Sequence, residues 1–183
     1  MHIELLSTSL SATSKSRTLL AAVAEACKAR GVHVYCTDIR DLPQVFCDGR
    51  ALTAYPSALQ ALHHRLEDAD GVVIAMPVYC YAVSGPAKNL VDIVGSALEK
   101  KSVAIISAAG CGWSHLAIRD LICALIFEFG TYVCPATVQV TGESKAPEAL
   151  DQEVEEFAED FIRFVQALAA PVSNPNAQFE HAE

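Results

Sequence analysis

A hydroxyl-rich stretch, Ser7-Thr8-Ser9-Leu10-Ser11-Ala12-Thr13-Ser14, runs directly into Lys15, Ser16 and Arg17 at the start of a helical pattern. Hydroxyls and the unpaired N–H groups of a helix N-terminus together hold anions, and the helix dipole favours negative charge there. Neither GxGxxG nor GxxxxGK[ST] occurs, so the pattern suits one terminal phosphate monoester better than a pyrophosphate. Ser9, Ser11, Ser14, Ser16 and Arg17 are the candidate contacts, with Lys15 as a second candidate cation. Taken alone, the same residues also suit a solvated turn with an N-cap, because Ser and Thr favour both for local reasons.

Two further stretches carry chemistry of a different kind. Pro77-Val78-Tyr79-Cys80-Tyr81 follows an apolar run and precedes Ser84-Gly85-Pro86. Pro77 is expected to stop the strand ladder, and Ser84 or Gly85 to open a helix with Pro86 in its first turn. Between them, Val78, Tyr79, Cys80 and Tyr81 offer rings and amides that line one side of a flat aromatic ligand, or pack on a neighbouring subunit. Ala108-Ala109-Gly110-Cys111-Gly112-Trp113 follows a second apolar run. Its two glycines let backbone N–H groups approach a ligand closely, although such a doublet is weak evidence by itself.

The elements that must position these stretches alternate in type. Apolar runs at 3–6, 32–36, 71–76 and 102–107, with a weaker one at 136–140, read as buried strands. Helical patterns lie at about 15–30, 55–69, 85–99, 114–129 and 148–169, the first closed by Gly31 and the last amphipathic. Five of each predict an α/β domain, a flavodoxin-like doubly wound five-stranded parallel sheet of order 2-1-3-4-5 with helices on both faces. Residues 1–170 form that single domain, and 171–183 are expected to be a poorly ordered tail. Ligands of such sheets sit beyond the carboxyl ends of the strands, where the winding reverses. The three stretches fall after the first, third and fourth strands. The longer connection 38–54 suits a lid or a subunit contact.

Composition removes several function classes. The chain has 183 residues, 52% hydrophobic and 19% charged, with a net charge of −9. Ten of its 22 acids but only two of its 13 bases lie in residues 143–183, so the body is close to neutral. Neither part offers the basic face that nucleic acid needs. No apolar run reaches the ~18 residues of a membrane span, and the start lacks signal-peptide character, so a cytoplasmic protein is expected. The seven cysteines show no CxxC spacing and read as reduced, buried thiols rather than metal ligands. His63–His64 on a helix, with no third ligand evident, reads as a solvated pair. Ser114–His115 lacks a GxSxG elbow and reads as a helix start.

A phosphate cradle, a flat apolar slot and a Gly-rich edge meeting at one point of this topology fit FMN. With these residues in hand, the chain resembles the NADPH-dependent FMN reductase family, over about residues 2–141, and most of all the flavin reductases of two-component monooxygenase systems. The family's P-x-Y-x-x-x-x-x-G-x-x-K-x-x-x-D motif is intact as Pro77, Tyr79, Gly85, Lys88 and Asp92. Its phosphate loop, G-S-x-R-x-x-S, is matched loosely, with Thr8 in place of glycine and Ser11 in place of arginine. The resemblance implies FMN and NADPH or NADH as cofactors. It places the isoalloxazine at 77–81 and 108–113, held by Pro77, Val78, Tyr79, Cys80, Ala108, Ala109, Gly110 and Gly112. It also implies a homodimer or homotetramer and a flavin-dependent monooxygenase as a partner.

Hydride transfer from a nicotinamide to a flavin needs two flat rings stacked at about 3–3.5 Å. It needs no tuned acid or base, so no catalytic side chain is assigned. Two other uses of a bound flavin stay open: a quinone, azo-dye or chromate reductase, and a flavodoxin-like electron carrier. A phosphatase of similar topology is excluded, since residues 7–17 hold no cysteine nucleophile; a receiver domain is excluded by the lack of acids after the first strand.

Overall fold

Runs of Val, Ile and Leu build a central sheet whose strands lie in the order β2-β1-β3-β5-β6. These are β1 (His2–Ser7), β2 (His33–Asp38), β3 (Gly71–Tyr79), β5 (Ser102–Ala108) and β6 (Tyr132–Val133), all parallel; β4 (Ala82–Val83) and β7 (Gln139–Val140) are two-residue additions. The computed structural model describes residues 1–142 and 146–169, without the side chains of Trp113 and His115; the expected tail at 171–183 lies outside the described residues.

The helices are α1 (Lys15–Ala29), α2 (Ser57–Asp68), α3 (Gly85–Val94), α4 (Arg119–Phe129) and α5 (Pro147–Ala169). Strand alternation assigns each face its partners. Val72, Ile74 and Met76 of β3 join Leu59, Leu62, Leu90, Val94, Leu121 and Leu125, the contribution of α2, α3 and α4. Val73 and Ala75 point the other way and join Leu20, Val23, Phe157, Phe161 and Val165 of α1 and α5. The doubly wound architecture and its strand order are therefore those expected, with helices on both faces. None of the described helices is long and apolar enough to cross a membrane.

Four departures from the sequence reading have local causes. Beta-strand β2 is an edge strand, so Tyr35 and Cys36 are exposed rather than buried. The expected fifth strand is broken into β6 and β7, which both pair with β5. Pro135 between them has no N–H to donate, and the Thr137 hydroxyl instead donates to the Ile105 carbonyl at 2.6 Å. Helix α3 ends at Val94 and tightens into a 3-10 turn at Gly95–Leu98. There a Cβ on Gly95 would lie 2.6 Å from the Phe129 ring. Residues Gly112–Ile118 form a 3-10 turn, and α4 starts only at Arg119. The cysteines also differ from expectation: Cys27 and Cys134 are buried, but Cys36, Cys80 and Cys123 are exposed.

One buried carboxylate ties the edge strand to the sheet. Glu4 is fully buried; its Oε1 accepts from Thr37 Oγ1 at 2.5 Å and its Oε2 lies 3.6 Å from Arg65 Nε. Burial pushes its carboxyl up in pKa, against the opposing pull of Thr37 and Arg65. The folded chain then keeps a proton that the unfolded chain has released, so stability falls as pH rises from the ordinary carboxylate value through the raised one. Glu4→Gln should flatten this loss of stability as pH rises above the ordinary carboxylate range, read by denaturant unfolding. A variant that loses stability faster than the parent as pH rises contradicts this reading.

Candidate functional site

Three segments leave the carboxyl ends of adjacent strands. Ser7 pairs with Ala75 and Pro77 with Ala108, so the chain beyond β1, β3 and β5 emerges on one side of the sheet. Helix α1 covers one face and α3 the other, so the winding reverses at this point.

The first segment is a folded cradle. Thr8, Ser9, Ser14 and Ser16 are buried, and Ser11 is exposed. Thr8 donates both its backbone N–H and its hydroxyl to the Ala75 carbonyl, each at 2.9 Å. The Ser9 hydroxyl accepts from the Ser11 N–H, and the Ser14 hydroxyl caps α1 by accepting from the Arg17 N–H. Ser16 meets Ser14 hydroxyl to hydroxyl at 3.0 Å. The remaining first-turn amides of α1 point outward with the dipole behind them.

Arg17 is spread across the outside of this loop. Its Nη2 donates to the Ser9 carbonyl at 2.7 Å, its Nη1 to the Ser11 carbonyl at 3.0 Å, and its Nε lies 2.7 Å from Asp38 Oδ2. Burial opposes ionisation of Asp38, but hydrogen bonds from Arg40 and the charges of Arg17 and Arg40 outweigh it and hold the carboxyl below its usual range. Asp38 is a residue that sequence reasoning missed. Its position at the end of β2, beside a loop two cationic steps away, is visible only once β2 pairs with β1.

The second segment is a hairpin. Beta-strand β3 runs through Pro77 to Tyr79, so the expected stop at Pro77 does not occur. Val78 and Tyr79 pair antiparallel with Val83 and Ala82 of β4. The turn residues Cys80 and Tyr81 both hold positive φ, 52° and 59°. A two-residue turn between right-twisted strands demands this conformation, which side-chain-bearing residues adopt at a cost of about 1 kcal/mol each. The strained turn holds Tyr79 and Tyr81 out, 55% and 65% exposed. Ser84 follows as the cap residue of α3, with Pro86 in the first turn as expected.

The third segment meets the second. Tyr81 Oη lies 3.8 Å from Cys111 Sγ, a contact that raises the tyrosine pKa. Gly110 and Gly112 are exposed, and a Cβ on either would meet nothing within 4 Å. Gly142, overlooked in the sequence, braces this turn: its N–H donates to the Gly110 carbonyl at 3.2 Å, and a Cβ there would lie 2.6 Å from that oxygen. The Ala109 N–H donates to Val140 at 2.8 Å.

Beside the cradle lies an apolar groove of about 560 Å³, walled by Leu10, Val45, Phe46 and the start of α3. The 38–54 connection forms one wall and is pinned rather than loose. Asn89 accepts from the Cys47 N–H at 2.8 Å and donates to the Val45 carbonyl at 2.9 Å. Lys88 and Asp92 pair with each other along α3.

A flavin mononucleotide suits this arrangement on two counts. The hydroxyls of Ser7, at the end of β1, and Ser84, before α3, are buried with no hydrogen-bond partner. Each is a donor left for a bound polar group. The space beside Gly110 and Gly112 is open, and Tyr81 of the hairpin reaches Cys111 between them, so the two segments border each other. Residues 7–17, 77–86 and 108–114 contain no carboxylate, so these three segments offer hydroxyls, rings and backbone amides but no pair of carboxylates.

Known proteins resemble this chain in sequence and in fold. The NAD(P)H:quinone oxidoreductase of Solanum tuberosum is 34% identical over 107 residues, spanning 56% of this chain and about half (55%) of that enzyme's length. An NAD(P)H-dependent FAD/FMN reductase of Geobacillus thermodenitrificans is 27% identical over 128 residues, 68% of this chain and 69% of that one. FerB of Paracoccus denitrificans, a flavoenzyme NAD(P)H:(acceptor) oxidoreductase, shares the fold with a TM-score of 0.76 at 21% identity, covering 91% of this chain and 97% of that chain. Residues 1–145 match the family described as NADPH-dependent FMN reductase, and the chain belongs to that family.

Proposed function

We propose that the cleft beyond β1, β3 and β5 binds FMN and that the chain reduces it with NADPH or NADH. The observation that carries this is the meeting of the hydroxyl-lined start of α1, the tyrosine hairpin and the Gly110–Gly112 edge at the ends of three adjacent strands. Bound FMN supplies the redox chemistry, accepting two electrons and a proton from the nicotinamide. The protein's share is binding and orientation. The α1 first-turn amides and the hydroxyls of Ser9, Ser14 and Ser16 receive the phosphate. The hairpin's Val78, Tyr79 and Cys80 line one side of the ring, and the amides at 110–112 favour the negative charge that develops at its polar edge. The exposed tyrosines leave the outer side of that slot open to a second flat molecule, which the reaction requires.

Two fates of the electrons follow from the same site: release of reduced flavin to a monooxygenase, and transfer to a quinone. The quinone reading is favoured by the names of relatives that match this chain, among them the potato enzyme and the quinone reductase of Escherichia coli. Nicotinamide oxidation by the purified protein, with NADPH or NADH, with and without added FMN, and with a quinone, separates them. A requirement for free FMN at substrate level supports flavin supply; a yellow protein that turns over only with a quinone supports the second reading; inertness with every acceptor removes both.

The reading also includes a homo-oligomer. Helix α4 is mostly apolar, and Ile126 and Phe127 on it, with Leu116 in the 3-10 turn before it, are 43%, 86% and 63% exposed. Exposed apolar side chains of this size belong in an interface, and a second copy of this chain supplies a matching surface. Phe127→Asp should lower the mass seen by sedimentation while far-ultraviolet circular dichroism stays unchanged. An unaltered mass rules out this face.

A further inference from the structure

We propose that His63, His64 and Glu67 form a binding site for a divalent transition-metal ion of the zinc class. The three side chains converge at the last turn of α2, with one ligand atom from each within 4.8 Å of the others. His63 Nδ1 lies 3.4 Å and His64 Nδ1 3.0 Å from the same oxygen, Glu67 Oε2. Ligands bound to zinc at about 2.0–2.1 Å in a tetrahedron are about 3.3 Å apart, so both gaps are those of ligands around one ion.

The arrangement around His63 carries the inference beyond a surface cluster. This residue is only 8% exposed, and its Nε2 meets Ser96 Oγ at 2.9 Å. The Ser96 hydroxyl can accept from Nε2, and in that tautomer Nδ1 keeps the lone pair that an ion needs, with Nε2 held as in the second shell of metal-bound histidines. That other nitrogen, Nδ1, is buried and faces Glu67 Oε2 at 3.4 Å without a well-aligned hydrogen bond. His64, 72% exposed on its side chain, and Glu67, 49% exposed, complete three protein ligands on the solvent side and leave a fourth position open to water. Lys101 donates to the backbone carbonyls of Glu67 and Ala69, and Arg65 of the same turn is turned to Glu4 and Thr37. The site lies where α2 hands over to the start of β3, at the opposite end of the sheet from the flavin cleft, so it is independent of the redox reading.

The test uses the whole chain stripped of metal by a chelator, titrated with Zn²⁺ by calorimetry and with Co²⁺ by absorption. The parent should take up one equivalent of Zn²⁺ and gain thermal stability. His64→Ala and Glu67→Gln, both at exposed positions, should abolish the uptake. Ser96→Ala should weaken it by about tenfold through loss of the orienting hydrogen bond. The Co²⁺ spectrum should lack a thiolate charge-transfer band, because the exposed cysteines are not ligands. No saturable uptake by the parent, equal uptake by the His64 and Glu67 variants, or a thiolate band that those variants leave unchanged overturns the site.

Discussion

Arg17→Ala should raise the FMN dissociation constant by about ten- to a hundredfold, the equivalent of about 1.4–2.8 kcal/mol. A hydrogen bond to a charged group contributes about 1.5–3 kcal/mol when well buried. Arg17 makes two to loop carbonyls as well as the ion pair with Asp38, all partly exposed and screened, so an effect the size of about one such bond is expected. Without them, Ser9 and Ser11 are no longer held over the α1 N-terminus, and a bound phosphate must order the loop at its own expense. Arg17→Lys should recover little, since one ammonium cannot span two carbonyls and a carboxylate. Asp38→Asn separates two roles for the arginine. If Arg17 acts by clamping the loop, releasing it from Asp38 weakens FMN binding in the same direction. If Arg17 instead reaches the phosphate directly, releasing it leaves binding unchanged or tighter. Fluorescence titration with FMN, and with riboflavin as the phosphate-free control, reads both.

Gly142→Ala is the second large effect. The added Cβ would sit 2.6 Å from the Gly110 carbonyl oxygen, a backbone atom that cannot swing aside as a side-chain end can. Overpacking of this kind costs about 1–3 kcal/mol, and here it is relieved by displacing the Gly110 turn. In the proposed site that turn is the ring-edge wall, so FMN affinity and nicotinamide oxidation should fall by about tenfold or more, with only a modest drop in melting temperature. Gly112→Ala is the contrast: a Cβ there meets nothing within 4 Å of the protein. Any loss it causes must come from the ligand itself, and parent-level flavin binding by both variants would remove the 110–112 edge from the site.

The apolar runs mark the buried strands and their alternation with helices the doubly wound class, whose usual order the sheet follows; β1, β3 and β5 are mainly apolar because helices cover both their faces, with Glu4 the buried exception. Beta-strand β2 deceived for the opposite reason. Its run from Val32 to Cys36 is apolar, yet an edge position exposes Tyr35, which finds a partner in the Arg65 guanidinium 4.7 Å from its ring centroid. The reach of β3 past Pro77 was equally hidden. A proline forfeits one ladder donor, and only the pairing of Val78–Tyr79 with Ala82–Val83 shows that the strand continues as a hairpin.

For the site, the sequence determined which residue types are present: hydroxyls before a helix, a tyrosine loop and a glycine doublet, each following an apolar run. Those are local properties, set by neighbours a few positions away, and a parallel sheet of known order brings them to one edge. What each side chain does was decided by contacts across long stretches of chain. Arg17 is committed to Asp38, 21 residues on, Gly142 to Gly110, Asn89 to the backbone at 45–47, and His63 to Ser96 and Glu67. A charge or a missing Cβ is legible in a sequence, but the atom it meets is fixed only when the folded chain leaves it one place to go.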